Sequence, residues 1–369
     1  KPQTPNPKPQ TPNPKPLESG YNNIEMGILG IVLGGVIAAI GIVGIIGGKD
    51  WDGEVKRMEF ERWVQVHGKE YATAAEKRYR EMVFAMNSFK VQQMNEDKEL
   101  TYKVNLNKFA DLTEEEFVAK FTSGVKKTPD SQQVNILTEP ELKGNNFVKI
   151  GANVDWRTKG AVTPVGDQKQ CASSYAFGAI GAMESAWNIS GKPLIALSEQ
   201  QIVDCSDWSG NYGCSGGEAN LSYNYILHYS KGGVETDKTY PYTGSEDFCS
   251  FSPSKIAATM SNYTTLAQYD CAGLLQAITA QPVVVKVAAN AIQFYSSGIF
   301  NNPRCGTALN HYLLAIGYGG ATSSSEYWLC KNSWGRGWGE EGYIKLARTD
   351  NPKEAGMCGI CLNALYPTI

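Results

Sequence analysis

Residues 170–181 read QCASSYAFGAIG, two adjacent serines heading an apolar run that continues as AFGAIGAMESAW. Small and apolar residues at that density predict that AFGAIGAMESAW forms a buried helix. A thiol at a helix N-terminus can be ionised by the dipole and a nearby imidazole, but an alcohol is far too weak an acid for that. Ser174 could therefore attack only with a histidine acting as general base. The chain offers three histidines, His67, His228 and His311. No group of His, Cys and Asp has metal-ligand spacing, so neither a metal nor another cofactor is expected.

The elements around this run differ sharply in composition. Residues 1–25 open with KPQTPNP twice and its start a third time, a proline density that favours extended polyproline II and acts as a spacer. Residues 26–48, MGILGIVLGGVIAAIGIVGIIGG, carry no charge over a length able to cross a hydrocarbon core of about 30 Å. They are expected to form a single transmembrane helix, and Gly30 with Gly34, and Gly44 with Gly48, have the small-xxx-small spacing through which two copies could pair. All nine cysteines lie at or after Cys171, without paired CxxC spacing, which predicts disulfides in an oxidising compartment. Sequons at Asn188, Asn220 and Asn262 agree. The C-terminal part is thus expected to be lumenal or extracellular, with protein partners or a homodimer through the glycine-rich helix. A formal net charge of -3 and no basic stripe exclude nucleic acid as a partner.

Residues 54–120 are charged and free of cysteine, with Phe60, Trp63 and Val64 at helical spacing. Glu76, Arg80, Phe84, Asn87, Val91 and Asn95 reproduce E-x3-R-x3-F-x2-N-x3-[IV]-x3-N, and one helix would place Glu76 and Arg80 as an i, i+4 pair. This pattern resembles the inhibitory propeptide of papain and cathepsin L relatives. Asn107, Phe109 and Asp111 in NLNKFADLTEEEF match its second motif, with Asn105 where many members have Gly. The resemblance implies a helical propeptide domain over 54–120, an irregular connection over 121–150 and a papain-like domain over 151–369. VDWRTKGAVTPVGDQKQCASSYAF, LSEQQIVDCS, GCSGG, LNHYLLAIGYG and YWLCKNSWGRGWGEEGYIKL follow in papain-family order. The implied fold is α+β, a papain-like two-domain fold with a helical left domain and a β-barrel-like right domain.

By the same resemblance the catalytic positions are Ser174, His311 and Asn332, with Gln168 donating to an oxyanion and Trp334 covering the histidine and asparagine. Only the sulfur of the nucleophile is missing, while Tyr175 stands for the usual Trp and Ala172 for the usual Gly. Silicateins, papain relatives of sponges, share SYAF. The residues matching the apolar substrate pocket are Glu218, Ala219, Lys286, Leu309, Tyr312 and Asn363, so two walls carry opposite charges, expected to pair and with Tyr312 to narrow the pocket. The implied disulfides are Cys171–Cys214, Cys205–Cys249 and Cys305–Cys358. Cys271, Cys330 and Cys361 remain, with Cys330 read as a buried apolar residue. The first expectation is a membrane-anchored papain-family homologue that is inactive and serves as a binding or structural module, its propeptide retained. Two alternatives stay open: a Ser/His/Asn hydrolase or silicatein-like condensing enzyme, and a cysteine-type endopeptidase trapped by exchange of Cys for Ser, for which a peptide would be the substrate.

Overall fold

The computed structural model describes residues 53–122, 153–320, 322, 325–348 and 354–369. The expected transmembrane helix, the Pro-rich segment and nearly all of the connection at 121–150 lie outside these residues. Among the described residues no helix is long and apolar enough to cross a membrane. The described residues divide into two units, one ending at Trp63 and the other running from Val64 to Ile369. In the first, helix α1 (Gly53–Val66, running just past the boundary) stacks the rings of Phe60 and Trp63, centroids 6.1 Å apart.

The second unit begins with α2 (Ala74–Glu96), whose N-terminus is fixed by Thr73: its side chain accepts the Glu76 N–H. Glu76 in turn accepts the Ala72 N–H. The expected i, i+4 pair is replaced: Arg80 reaches across to Glu116 at 2.6 Å and donates to the Asp111 carbonyl. A cap at the helix start and a partner on the next element satisfy both groups better than an exposed intrahelical pair. The short strand β1 (Tyr102–Val104) and helix α3 (Glu114–Phe121) follow, α3 opened by a Thr113/Glu116 capping box.

After β2 (Val154–Asp155) come helices α4 (Ser174–Ile189), α5 (Glu199–Cys205) and α6 (Ala219–His228). Strands β3 (Gly233–Val234) and β4 (Ala258–Thr259) pair as a small separate ribbon. The remaining elements are β5 (Asn262–Thr265), α7 (Cys271–Ala280), β6 (Val283–Val287), β7 (Tyr295–Phe300), β8 (His311–Gly319), β9 (Tyr327–Lys331), β10 (Tyr343–Ala347) and β11 (Ala364–Thr368). The main sheet runs β1-β7-β10-β9-β8-β6-β11-β5, with β2 pairing β8. β8 is buried along its whole length, as its continuous apolar run predicts.

The core lies where α4 meets β8. Ile180 and Met183 of the helix, Leu314 and Ile316 of the strand, and Tyr223 of α6 belong to one buried cluster. Gly178 lets the helix approach: a Cβ there would stand 2.9 Å from Val284 Cγ1. Gly298 does the same for the edge strand β1. At φ +86° it faces Thr101, whose carbonyl oxygen would be 2.6 Å from an added Cβ.

Four disulfides form: Cys171–Cys214, Cys205–Cys249, Cys305–Cys358 and Cys271–Cys361. The last resolves two of the three cysteines that sequence left over, and it ties the start of α7 to the loop before β11. Cys330 stays free and buried, its thiol pushed up by burial. Alkylation of the denatured, unreduced chain should therefore label Cys330 alone among the nine cysteines; recovery of labelled Cys271 or Cys361 by peptide mapping would contradict this pairing.

Candidate active site

Ser174 is the first residue of α4 and fully buried. Its neighbour Ser173 makes no side-chain cap and instead meets Tyr242 Oη at 2.7 Å. The first N–H groups of the helix thus remain uncapped by that side chain, as a site for negative charge requires. The turn before it is pinned by Cys171–Cys214 and by the Ala172 N–H, which donates to the Cys214 carbonyl at 3.0 Å.

His311 opens β8, and Asn332 follows the end of β9. The chain of bonds Lys331–Thr163–Glu184 holds that end of β9 against α4: Lys331 Nζ donates to Thr163 Oγ1 at 3.0 Å, and Thr163 donates to the buried Glu184 at 2.5 Å. Asn332 Oδ1 accepts the Ser333 N–H at 2.7 Å and lies 2.8 Å from His311 Nε2. The amide oxygen therefore faces the ring, Nε2 carries the proton and Nδ1 is the basic nitrogen. Nδ1 has no hydrogen-bond partner among the described residues. Burial, opposed only by the Asn332 bond, lowers the imidazole from 6.5 to about 4. His311 is thus neutral at pH 7, a base rather than an imidazolium.

Ser174 Oγ does not point to that base. It accepts the backbone N–H of Tyr312 at 3.1 Å. Trp334 covers the histidine, with ring centroids 4.4 Å apart. Gln168, the expected oxyanion donor, has both of its amide hydrogens engaged: Nε2 donates to the Cys171 carbonyl at 2.9 Å and to the Phe121 carbonyl at 3.2 Å. Its Oε1 accepts from Ser333 Oγ at 2.7 Å.

Phe121 was not singled out by sequence reasoning, which ended the helical segment one residue before it. It closes α3, and its carbonyl is one of those a helix C-terminus leaves unsatisfied. Trp334 Nε1 also donates to it, at 3.3 Å. Phe109 and Phe117 pack on the Trp334 ring at 5.6 and 5.1 Å. The signal was present: a capping box at Thr113, then Phe117 and Phe121 at i, i+4 on one helical face.

The pocket residues divide into those that meet and those that do not. Lys286 on β6 is the cross-strand partner of Tyr312 on β8, so the two side chains share a face. Lys286 Nζ lies 5.0 Å from the Tyr312 ring centroid. Glu218 precedes α6 without capping it, leaving its carboxylate to reach Lys286 Nζ at 2.6 Å and to accept the Tyr312 hydroxyl in a short bond. Burial, then the charge of Glu218, hold the Tyr312 phenol well above its usual range. Ala219 is buried beside them, and the Asn363 carbonyl accepts the Lys286 N–H at 2.9 Å. Leu309 is half-buried, its side chain against Gly359. Of the sequons, Asn262 is exposed at the start of β5, whereas Asn188 and Asn220 are half-buried on helices. Neither His67 nor His228 joins the site: His67 precedes α2, and His228 ends α6.

The chain matches two family models, the papain family cysteine protease over residues 150–368 and the cathepsin propeptide inhibitor domain over residues 60–117. It is 38% identical over 328 residues to a cathepsin L-like peptidase of Aedes aegypti, covering 86% of this chain and 94% of that one. It is 36% identical over 313 residues to fruit bromelain of Ananas comosus, covering 84% and 86%. Among solved structures, a recombinant stem bromelain precursor superposes with a TM-score of 0.74 at 36% identity, covering 85% of this chain and 99% of that chain. Digestive procathepsin L 3 of Tenebrio molitor larval midgut does so at 0.75 and 34%, covering 87% and 100%.

The depressed His311 makes a testable demand on stability. A ring that titrates near 6.5 unfolded and about 4 folded favours the native state while neutral, so its contribution is complete above pH 6.5 and lost as pH falls toward 4. The loss is about 3 kcal/mol. Urea midpoints of the native chain and of His311→Gln should converge or cross over that window, and parallel curves would contradict a buried neutral ring.

Proposed function

The chain belongs to the papain family of cysteine proteases, and on that premise we propose that it is a membrane-anchored member that no longer cleaves peptides and acts as a binding or structural module. The observation that carries this reading is the bonding of Glu218, Lys286 and Tyr312 to one another across the position of the substrate pocket. A bulky apolar side chain would have to displace a largely buried ion pair, leaving charges without partners. The nucleophile argues the same way. Its oxygen rests on the Tyr312 N–H rather than on His311, and an imidazole held at about 4 is a weak base toward an alcohol. The Phe121 carbonyl on Gln168 and Trp334 adds a third obstruction, supplied by the end of the helix that begins inside the propeptide match and runs four residues past it.

The charge-free run at 26–48 supports a single-pass anchor, and four disulfides beyond it support a lumenal or extracellular peptidase unit. Sugar at Asn262 fits that side of the membrane. With self-cleavage lost, the propeptide segment stays attached and continues to cover Trp334.

One observation favours a second reading. His311 Nδ1 is basic and has no hydrogen-bond partner among the described residues, so a rotation of Ser174 Oγ toward it would assemble a Ser/His/Asn hydrolase or a condensing enzyme of the silicatein kind. Hydrolysis of an activated ester by the native chain, lost in both Ser174→Ala and His311→Gln, would establish that reading in place of the first.

Turnover of a broad peptide library by residues 150–369 separates the obstacles. The native sequence and Ser174→Cys should both be silent toward substrates with a bulky apolar residue at the second position before the cleaved bond. Adding Glu218→Ala, Lys286→Ala and Tyr312→Ala to Ser174→Cys should raise kcat/KM by about 10- to 100-fold or more. Cleavage by Ser174→Cys alone would show that the pocket is open, and cleavage by the native sequence would remove the proposal.

A further inference from the structure

α2 is apolar on two faces. One is buried through Val83, Phe84 and Val91, with Asn87 Nδ2 donating to the Ala110 and Leu112 carbonyls. The other presents Tyr79, Met86 and Phe89, which are 42%, 53% and 52% exposed, with half-buried Met82 among them. The spacing 79, 82, 86, 89 continues to Gln93, alternating steps of three and four residues. That is the 3.5-residue repeat with which one helix meets another along a seam. A helix lying on the surface of a single domain needs only one such stripe.

We propose that this second stripe is the contact with a second copy of the same chain, the two α2 helices packing antiparallel about a two-fold axis near Met86. Such a contact must be self-complementary, and the stripe has that property. Tyr79 would lie opposite Gln93, and Met82 near Phe89. Arg78 and Glu96 share one flank of the stripe at opposite ends, Glu96 being held there by bonds from Gln92 and Gln93. An antiparallel mate therefore brings each Arg78 toward the partner's Glu96, whereas a parallel mate would set like charges together.

The size of the stripe says what else is needed. Four large side chains per copy fall below the roughly 1,000 Å² of a dimer stable in free solution. The chain outside the described residues supplies the remainder: the apolar run ends at Gly48, shortly before α1, and carries the Gly30/Gly34 spacing. Two anchors in one membrane raise the effective concentration of the domains to about the millimolar range, at which a weak seam forms. The pairing rests on the reading above for the retained helical segment and, for its strength, on the anchor.

The test uses the full chain in lipid vesicles, with Met86→Cys placed at the axis and Lys238→Cys, an exposed position on the peptidase unit, as reference. Mild oxidation should cross-link Met86→Cys about tenfold faster or more. Adding Tyr79→Glu and Phe89→Glu should return it to the reference rate, with the melting temperature unchanged to within about 2 °C. Equal rates for the two cysteines, or fast cross-linking that survives the two glutamates, would overturn the proposal. So would quenching of a dye on Met86→Cys by a lipid-borne quencher without cross-linking, which would put the stripe on the membrane. Alkaline extraction of the same vesicles reports on the anchor separately: a chain that washes off yet cross-links keeps the seam without its tether, and one that washes off and does not cross-link overturns it.

Discussion

The N–H of Tyr312 donating to Ser174 Oγ joins the first turn of the central helix to the first residues of the central strand. Everything that could do chemistry is arranged around that contact. The strand places His311 just before it and Tyr312 in register with Lys286; the helix places Ser174 where its uncapped N–H groups converge. Gly178 lets the helix lie close to Val284 of the neighbouring strand β6, and Ile180 and Met183 join Leu314 and Ile316 in one buried cluster. Burial at this junction keeps the imidazole neutral. On the reading proposed above the serine there is a poor nucleophile, because an alcohol is too weak an acid for helix dipole or imidazole to ionise.

The pocket and the propeptide-like segment add to this by different means. Glu218, Lys286 and Tyr312 satisfy one another, so the space between them needs no ligand. A buried pair of charges contributes little net stability. On the reading proposed above it sets a cost on entry, since any apolar group inserted there would separate them. On the other side of the histidine, Phe109 and Phe117 cover Trp334 with apolar surface, Phe121 packs on Phe109, and the helix-terminal Phe121 carbonyl accepts from both Gln168 and Trp334. Lys108 adds an ion pair to Asp167 at 2.6 Å on the same seam.

Much of the architecture is legible along the sequence because it is written in local patterns. The small, apolar run after Ser174, the uninterrupted strand at His311 and the propeptide motifs each state an element and its place. Three of the disulfides are implied by the resemblance. What sequence does not show is decided by contacts between distant segments. Cys271 and Cys361 pair because α7 and the loop before β11 fold together, ninety residues apart in the chain. Arg80 leaves Glu76 for Glu116 because α3 returns beside α2. The end of α3 meets Gln168 for the same reason, and β1 extends the sheet by pairing with β7, a partner nearly two hundred residues away. The charges of Glu218 and Lys286 can be read directly, but the hydroxyl that locks them belongs to Tyr312, and its aim depends on the register of β6 with β8.

Binding tests, without any need for catalysis, whether the chain's own side chains fill the cleft. Residues 150–369 with Ser174 unchanged would be titrated with a non-cleavable peptide carrying leucine at the second position before the bond, against the same protein bearing Glu218→Ala, Lys286→Ala and Tyr312→Ala. A filled cleft gives affinity at least about tenfold higher in the opened variant, with little or no heat of binding to the native sequence. Equal, measurable affinity for both would mean that the three residues stand aside for a ligand, and that the cleft was never closed.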